Sequence, residues 1–333
     1  MAEWLYEAGI GEARAALVLN DHILAAEIET EDDGVRAGAI VEARLTHIVV
    51  PGRRAIVTLA GGGEALIEPV PPRVAIGATL LVEVHRAALP ERDRVKRAIV
   101  RAAPDGVAPG GGPDLLTRIR SSGDTVRILS QHGPDLLELA GWSELIEEAA
   151  SGEALFDGGA LRLALTPAMT LIDVDGWLPA TELAEAGAAA AARMILRHGI
   201  GGSIGIDLPT VEGKTARHAA ARAIDTILPQ PFERTGVNGF GFVQIVRRRA
   251  RASLPERMRD DPVGVAARSL LRRAERTPGA GLRTLSGAPA VIGLIAGRTS
   301  WTEELSRRLG APIALRAEPR LAISRGHVEA ENP

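Results

Sequence analysis

The chain has no cysteine. Disulfides, thiolate zinc sites and cysteine nucleophiles are therefore excluded. Lysine is nearly absent, with Lys96 and Lys214 alone, so basic character rests on arginine. A GC-rich coding sequence would produce the same bias, and the same wealth of alanine, so arginine abundance by itself does not indicate phosphate binding. A run of about 18 apolar residues, the minimum for a membrane-spanning helix, does not occur. The first residues, MAEWLYEAGIGEARAALVLN, carry acids where a signal peptide would carry bases, and the expected location is the cytoplasm with no membrane partner. Thirty-nine basic and 42 acidic residues leave a net charge of −3, so any site for a polyanion must be a local patch.

What is present is ordinary globular composition. Of 333 residues, 46% are hydrophobic and 24% charged, which excludes a disordered or collagen-like chain, and the length suits about two domains. Residues 1–35 alternate as strands do, and ALVLNDHILAAEIET reads as two strands around Asn20 and Asp21. The runs AIVEARLTHIVV, RAIVTLA, EALIEPV, ATLLVEVHRA and VKRAIVRA predict five further strands between Gly and Pro breaks. Five short strands suggest a small barrel of the OB type; one sheet of a larger β-domain is the alternative. Residues 102–114, with three prolines and four glycines, form a loop and a boundary. Beyond it, VRILS reads as a strand and WSELIEEAAS as a helix entered from Gly141.

Residues 151–255 read as strand, helix, strand, helix, strand, the pattern of an α/β layer with a parallel component. GGALRLALT, MTLIDVD, GGSIGID and GFGFVQIVRRRARA are the strands; the helices are 178–197, entered through Pro179 and Thr181, and 215–228. The tail reads as a helix at 263–276, a strand PAVIGLIA, a helix at 302–309 and a strand PIALRAE, a small separate α/β unit. No internal repeat is present.

MTLIDVDG ends in Asp173 and Asp175, which in an extended strand point to one side. GGSIGID ends in Asp207, and one helix separates the two strands. If these strands are parallel neighbours, their acids share the edge where open α/β sheets usually carry a site. Clustered carboxylates repel one another, and a divalent cation relieves that repulsion. Oxygen-only ligands favour Mg²⁺, or Mn²⁺, over zinc. From spacing alone, the same acids could equally begin loops or cap helices. Arg247, Arg248, Arg249 and Arg251 follow a buried strand and could hold a nucleic-acid backbone through bidentate forks, or could be a solvated strand end. GIGGSIGID follows a helix and enters a strand, the reverse of a dinucleotide fingerprint. GLIAGRTS lacks the lysine of a phosphate-binding loop, and the seven histidines form no H-x-x-x-H pair.

GGALRLALTPAMTLIDVDG, the helix after it, RHGIGGSIGIDLPTVEGK and GVNGFGFVQIVRRRARASL together resemble the catalytic core of the ribonuclease E/G family, in order and with near-identical spacing over about 100 residues. LTHIVVPGRRAIVTLAG is similar to the family's RNA-binding barrel segment. The resemblance implies an α+β fold: a ribonuclease H-like and deoxyribonuclease I-like mixed-sheet core, an inserted OB-fold barrel and a small C-terminal α/β domain. Its implied divisions are residues 1–35 (strands of the ribonuclease H-like domain), 36–101 (the barrel), 102–114 (the loop), 115–157 (the rest of the first domain), 158–255 (the metal-binding catalytic domain) and 256–333 (the small C-terminal domain).

The resemblance also implies a function. Asp173 and Asp207 sit where the family's two magnesium-binding aspartates sit. Asp175 replaces an Asn that assists the reaction centre, and Lys96 stands where the barrel has a basic residue near the RNA. The expected activity is Mg²⁺-dependent endonucleolytic hydrolysis of single-stranded RNA, leaving a 5′-phosphate and a 3′-hydroxyl, with Arg247 and Arg249 helping to hold the backbone. Several positions depart from the family. Ile56 and Leu66 stand where two phenylalanines stack bases, only the Gly/Pro loop stands where a 5′-monophosphate sensor domain is placed, so that domain is expected to be missing, and Gln244 replaces a glutamate. MRDDP, within residues 255–262, replaces the C-P-x-C zinc motif, so no zinc is expected and a homodimer would not be zinc-linked. These departures leave a second reading open, a catalytically weak or inactive RNA-binding protein of the same family.

Overall fold

The computed structural model describes residues 1–91, 94–131 and 133–331. The chain opens with an antiparallel meander, β1 (Glu3–Ala8), β2 (Glu12–Leu19) and β3 (His22–Thr30). Asn20 and Asp21 connect β2 to β3 at φ 50° and 63°. A two-residue turn with both residues left-handed matches the strand twist, and Asn and Asp tolerate that region better than other side chains.

A closed barrel follows, from β4 (Ile40–Val50), β5 (Arg54–Leu59), β6 (Glu64–Ile67), β7 (Thr79–Arg86) and, after a short hairpin of β8 (Leu89–Glu91) and β9 (Arg94–Lys96), β10 (Ala98–Ala102). Its order is β10-β6-β5-β4-β7. The run VKRAIVRA is thus split, Lys96 ending the hairpin and Ala98 beginning the last barrel strand. Closure comes from β10 pairing parallel with β6 and antiparallel with β7. Alternate residues fill the interior, among them Ala43, Leu45, Ala55, Val57, Ala65, Ile67, Val82, Val84 and Val100. Five closed strands with small and β-branched inward residues are compatible with the OB type of barrel.

The Gly/Pro loop then returns, Ile40 and Gly110 exchanging both backbone hydrogen bonds at 2.9 Å. After α1 (Leu115–Arg120), capped by Asp114, β11 (Thr125–Ile128) pairs parallel with β1. The barrel is therefore inserted between β3 and β11, the two edge strands of one four-stranded sheet, β11-β1-β2-β3. Two helices complete this part, α2 (Leu136–Leu139) and α3 (Trp142–Ser151), the second entered from Gly141 at φ 95°.

A six-stranded sheet of order β12-β13-β14-β15-β17-β16 comes next. Its elements are β12 (Glu153–Phe156), β13 (Gly159–Leu165), β14 (Thr170–Gly176), α4 (Ala180–Arg197), β15 (Gly202–Asp207), α5 (Lys214–Ile227), β16 (Phe232–Arg234) and β17 (Phe242–Arg247). Only β14 and β15 pair parallel, with α4 as their crossover. α4 lies between β3 and this sheet, so it is buried on several sides, and Ala184, Ala188, Ala190, Ala191 and Ala192 let both neighbours approach. At Gly187 the approach is closest: a Cβ there would stand 2.3 Å from Cγ1 of Val174.

His198 ends α4 and is fully buried. Its Nε2 lies 3.3 Å from Oε2 of Glu148 on α3, and its carbonyl accepts from the Leu254 amide at 3.0 Å. Burial holds its pKa below the ordinary value near 6.5, outweighing the Glu148 hydrogen bond. The folded state therefore binds fewer protons at this site than the unfolded state. The stability tied to the neutral ring is complete above about pH 6.5 and is lost as the pH falls through and below that value.

The remaining elements are α6 (Leu254–Asp260), α7 (Pro262–Arg276), β18 (Arg283–Gly287), α8 (Pro289–Ala296), α9 (Thr299–Leu309), β19 (Ile313–Ala317) and β20 (His327–Ala330), with sheet order β19-β18-β20. PAVIGLIA, read from the sequence as a strand, is α8. A short continuous apolar run does not distinguish a buried strand from a buried helix. Here Pro289 sits at the start of the helix with a φ suited to it, and Val291, Ile292 and Ile295 pack in the core with α7 residues. MRDDP closes α6 and opens α7, where Asp261 accepts the Gly264 amide at 2.9 Å. Among the described residues no helix is long and apolar enough to cross a membrane.

The C-terminal unit is bonded to the N-terminal sheet through charge. Glu7, on β1, takes Arg14 Nε at 2.5 Å and Arg276 Nη2 at 2.5 Å, and Asp135 takes the same two arginines at 3.1 and 3.0 Å. Glu12 pairs with Arg272 and, at 3.4 Å, with Arg268. Burial lowers the Arg272 pKa to about 10.

Two outcomes follow for stability. Glu7→Ala leaves Arg14 and Arg276 short of a buried partner, and about 3–5 kcal/mol of unfolding free energy should be lost in urea titration. The urea midpoint should also fall between about pH 7.5 and about pH 5.5, and fall less in His198→Gln than in the parent chain.

Candidate active site

In the six-stranded sheet, period-2 alternation separates two faces. Leu161, Ile172, Val174, Ile204, Ile206, Val243 and Ile245 join α4 and α5 in one core. The intervening residues face the other way: Arg162 on β13, Asp173 and Asp175 on β14, Ser203, Gly205 and Asp207 on β15, and Phe242 and Gln244 on β17. That face is open to solvent at its acidic end, where Asp173, Asp175 and Asp207 are all exposed.

Asp173 and Asp207 are direct partners in the parallel register. Adjacent strands are about 4.8 Å apart, so the two side chains leave the sheet side by side, at one level and toward one face. Asp175, two residues on, is ion-paired with Arg162. The structure thus brings Asp173 and Asp207 together and engages Asp175 with a cation on the neighbouring strand. Among the described residues no three His, Asp or Glu side chains gather into a group that could hold a metal ion. The donor set is two exposed carboxylates, with Arg162 on β13 as the cross-strand neighbour of Asp173 on the side away from Asp207.

Glycines shape the surroundings. A Cβ on Gly205 would stand 2.5 Å from the Phe242 ring, so the missing side chain is what lets that ring lie across β15. A Cβ on Gly176 would meet the Gly158 carbonyl at 2.4 Å. This close crossing of the β12–β13 turn over the end of β14 fixes where β14 stops, and the Trp177 amide donates to the Gly158 carbonyl at 3.1 Å. Gln244, next to Asp207's row, donates from Nε2 to Ser203 Oγ at 3.1 Å.

The basic residues singled out from the sequence lie elsewhere. Arg247 is paired across the sheet with Gly202, five residues before Asp207, or about 16 Å along β15. Its guanidinium donates to the Ile200 carbonyl at 3.1 Å, and burial lowers its pKa. Arg249 is ion-paired with Glu256, and Arg251 with Glu27. Lys96 is half-buried on the β8–β9 hairpin, whose base is tied to this same end of the sheet by the Ala87 amide on the Ala250 carbonyl at 3.3 Å. Ile56 and Leu66 are cross-strand partners on the outer side of the barrel, half-exposed and adjacent.

Trp177 and Phe240, which the sequence reading does not single out, stand at the acidic end. They are 76% and 82% exposed. The available signal was their position: Trp177 follows the IDVDG run directly, and Phe240 lies two residues before Asp207's cross-strand partner, Phe242. Cavities of about 530, 940 and 560 Å³ occur in the molecule, and Asp173 and Asp207 line none of them. An acid pair on an open sheet face is accessible to an extended polymer, whereas small-molecule sites are usually enclosed.

Comparison of the chain with protein-family models and with curated proteins finds no match to either. The geometry of this edge rests on its glycine crossing. Gly176→Ala should lower stability by about 1–3 kcal/mol, because the added carbon meets backbone that cannot swing away. A thermal melt equal to that of the parent chain would contradict the close packing of the Gly158–Gly176 crossing.

Proposed function

We propose that the chain is a compact metal-dependent endoribonuclease of the ribonuclease E/G type, acting on single-stranded RNA in the cytoplasm. The observation that carries this reading is the register of Asp173 against Asp207 on an exposed sheet face. Two further features support it. The five-stranded barrel is inserted between strands of the N-terminal sheet, as the resemblance requires of an RNA-binding OB module. That N-terminal sheet corresponds in this reading to the ribonuclease H-like part, and the six-stranded mixed sheet to the deoxyribonuclease I-like part.

The donor set fits Mg²⁺, which commonly takes one or two carboxylates and keeps several waters. Asp173 and Asp207 would hold it, with Mn²⁺ as an equivalent. When bound, such an ion supplies activation of water and stabilisation of negative charge on phosphate oxygens. The chain's own residues do the rest. Asp173 and Asp207 fix the centre to two rigid strands, which holds it more closely than a loop could. Arg162, paired with Asp175, neutralises the third carboxylate and keeps a guanidinium on the face that a phosphodiester must approach. Hydrolysis at this face would leave a 5′-phosphate and a 3′-hydroxyl.

The second reading, an RNA-binding protein with weak or no catalysis, draws on one observation: Asp175 is engaged by Arg162 and two carboxylates remain. A labelled single-stranded RNA incubated with Mg²⁺ or with EDTA separates the two. Cleavage should require the metal and fall at least ~100-fold in Asp173→Asn and in Asp207→Asn, the loss of several kcal/mol of charge stabilisation. Both side chains are exposed, so the melting temperature should hold. Cleavage that survives both substitutions would overturn the assignment, and retention of RNA without cleavage would favour the second reading.

A further inference from the structure

We propose that Trp177 and Phe240 form a two-point stacking platform for the bases of single-stranded RNA, flanking the Asp173–Asp207 pair. The inference rests on the nuclease reading for its ligand class, and on the placement of the two rings for everything else.

The chain has four Trp, one Tyr and four Phe. Trp4, Trp142 and Trp301 are buried, and Tyr6, Phe156, Phe232 and Phe242 are partly covered. Trp177 and Phe240 are the two left in water. Single exposed apolar residues are common, but these two share one edge with the acid pair. Trp177 follows the end of β14, four residues after Asp173, and Phe240 precedes β17, two residues before Phe242. β15, which carries Asp207, runs between those strands. Two strand spacings separate β14 from β17, roughly 10 Å, a span of a few nucleotides.

Both rings stand on backbone that is held in place. The Trp177 amide is bonded to Gly158. The Phe240 amide donates to Asn238 Oδ1 at 2.9 Å, its carbonyl accepts from Thr210 Oγ1 at 3.1 Å, and the next carbonyl, of Gly241, accepts from the Leu208 amide at 3.2 Å. With the backbone held, only the side-chain torsions of each ring are left to order on binding.

Stacking is also the grip that local charge permits. Exposed carboxylates repel phosphates, Arg162 on this face is ion-paired with Asp175, and Arg247 and Arg249 are at the far end of the sheet with their guanidiniums engaged. A base presents an uncharged π-face and stacks without regard to sequence. On the barrel, the corresponding outer positions carry Ile56 and Leu66, which offer no ring. Bases inside a duplex are already stacked, so the platform accepts single strands only.

Trp177 is the single exposed tryptophan, so its fluorescence reports contact directly. The probes are oligo(A) RNA, the same strand in a duplex, and inorganic polyphosphate, each titrated in EDTA to stop cleavage and repeated with Mg²⁺ on Asp207→Asn. Oligo(A) should quench the emission, and the duplex and polyphosphate should not. Anisotropy of labelled oligo(A) should show about tenfold weaker binding in Trp177→Ala and in Phe240→Ala, with Trp177→Phe retaining affinity while losing the quench. Equal quenching by polyphosphate, or unchanged affinity in both alanine variants, overturns the platform. So does a change of sedimentation in the alanine variants with RNA affinity intact, which would assign the rings to contact between copies of the chain. If oligo(A) quenches selectively but the parent chain cleaves nothing, the platform stands and the nuclease reading fails. If aspartate-dependent cleavage is present and the alanine variants bind as the parent does, the nuclease reading stands and the platform fails.

Discussion

Glu7 is 1% exposed and lies between two guanidiniums, Arg14 from its own sheet and Arg276 from α7. A carboxylate so placed is tolerated only because both partners and their hydrogen bonds are present. The same arrangement recurs along the N-terminal sheet. Its strands and the turn after them supply Glu7, Glu12, Glu27, Glu31 and Asp33, and later parts of the chain answer with Arg276, Arg272, Arg118, Arg251, Arg298 and Arg257. On α7 the partners Arg268, Arg272 and Arg276 are four residues apart, so they share one helix face, and that face meets β1 and β2. Charge complementarity, with Ile10 packed in the C-terminal core and Leu254 and Met258 packed on the N-terminal sheet, sets how the C-terminal unit, the barrel-bearing sheet and the exit of β17 meet.

This network also explains what the arginines do. The run after β17 looks, as a string, like a phosphate-binding patch. In the fold, Arg249 and Arg251 close against Glu256 and Glu27 and anchor the strand's exit. The acid pair is treated in the opposite way. Asp173, midway along β14, and Asp207, at the end of β15, are closed over by no arginine among the described residues, and Arg162, although opposite Asp173 in register, ion-pairs with Asp175. Carboxylates paired inside the molecule hold it together, and those left unpaired on an open face are available to a cation. One sheet thus has a structural end, where arginines close against acids, and an acidic end open to a cation and to RNA in the proposed function.

Alternation made much of this legible. The hairpin at Asn20 and Asp21, the five barrel strands, α4, α5 and the strands β14 and β15 follow from period, turn residues and breakers, whereas the parallel pairing of β14 with β15 entered only as a condition that the structure meets. The boundary at residues 102–114 is visible from its glycines and prolines. PAVIGLIA was not legible, because eight apolar residues carry no period and burial was decided by α7 and β18. Short edge elements such as β16 and β20 carry too few residues to signal by themselves. The hairpin of β8 and β9 was hidden inside what reads as one strand.

At the candidate site the sequence alone determined that Asp173 and Asp175 share a strand face and that Asp207 ends the next buried strand, since a strand's side chains alternate whatever surrounds it. Only the tertiary structure decided that Asp173 stands level with Asp207, that Asp175 is engaged by Arg162, and that Arg247 lies at the opposite end. Those facts depend on register between strands and on which charges meet across elements distant in the chain. Likewise, composition shows how few aromatics there are, but not that Trp177 and Phe240 are the two left in water beside the acids. Exposure is a property of what packs nearby, and in this chain that was settled by the glycine crossing at Gly176 and by the bonds holding the loop before β17.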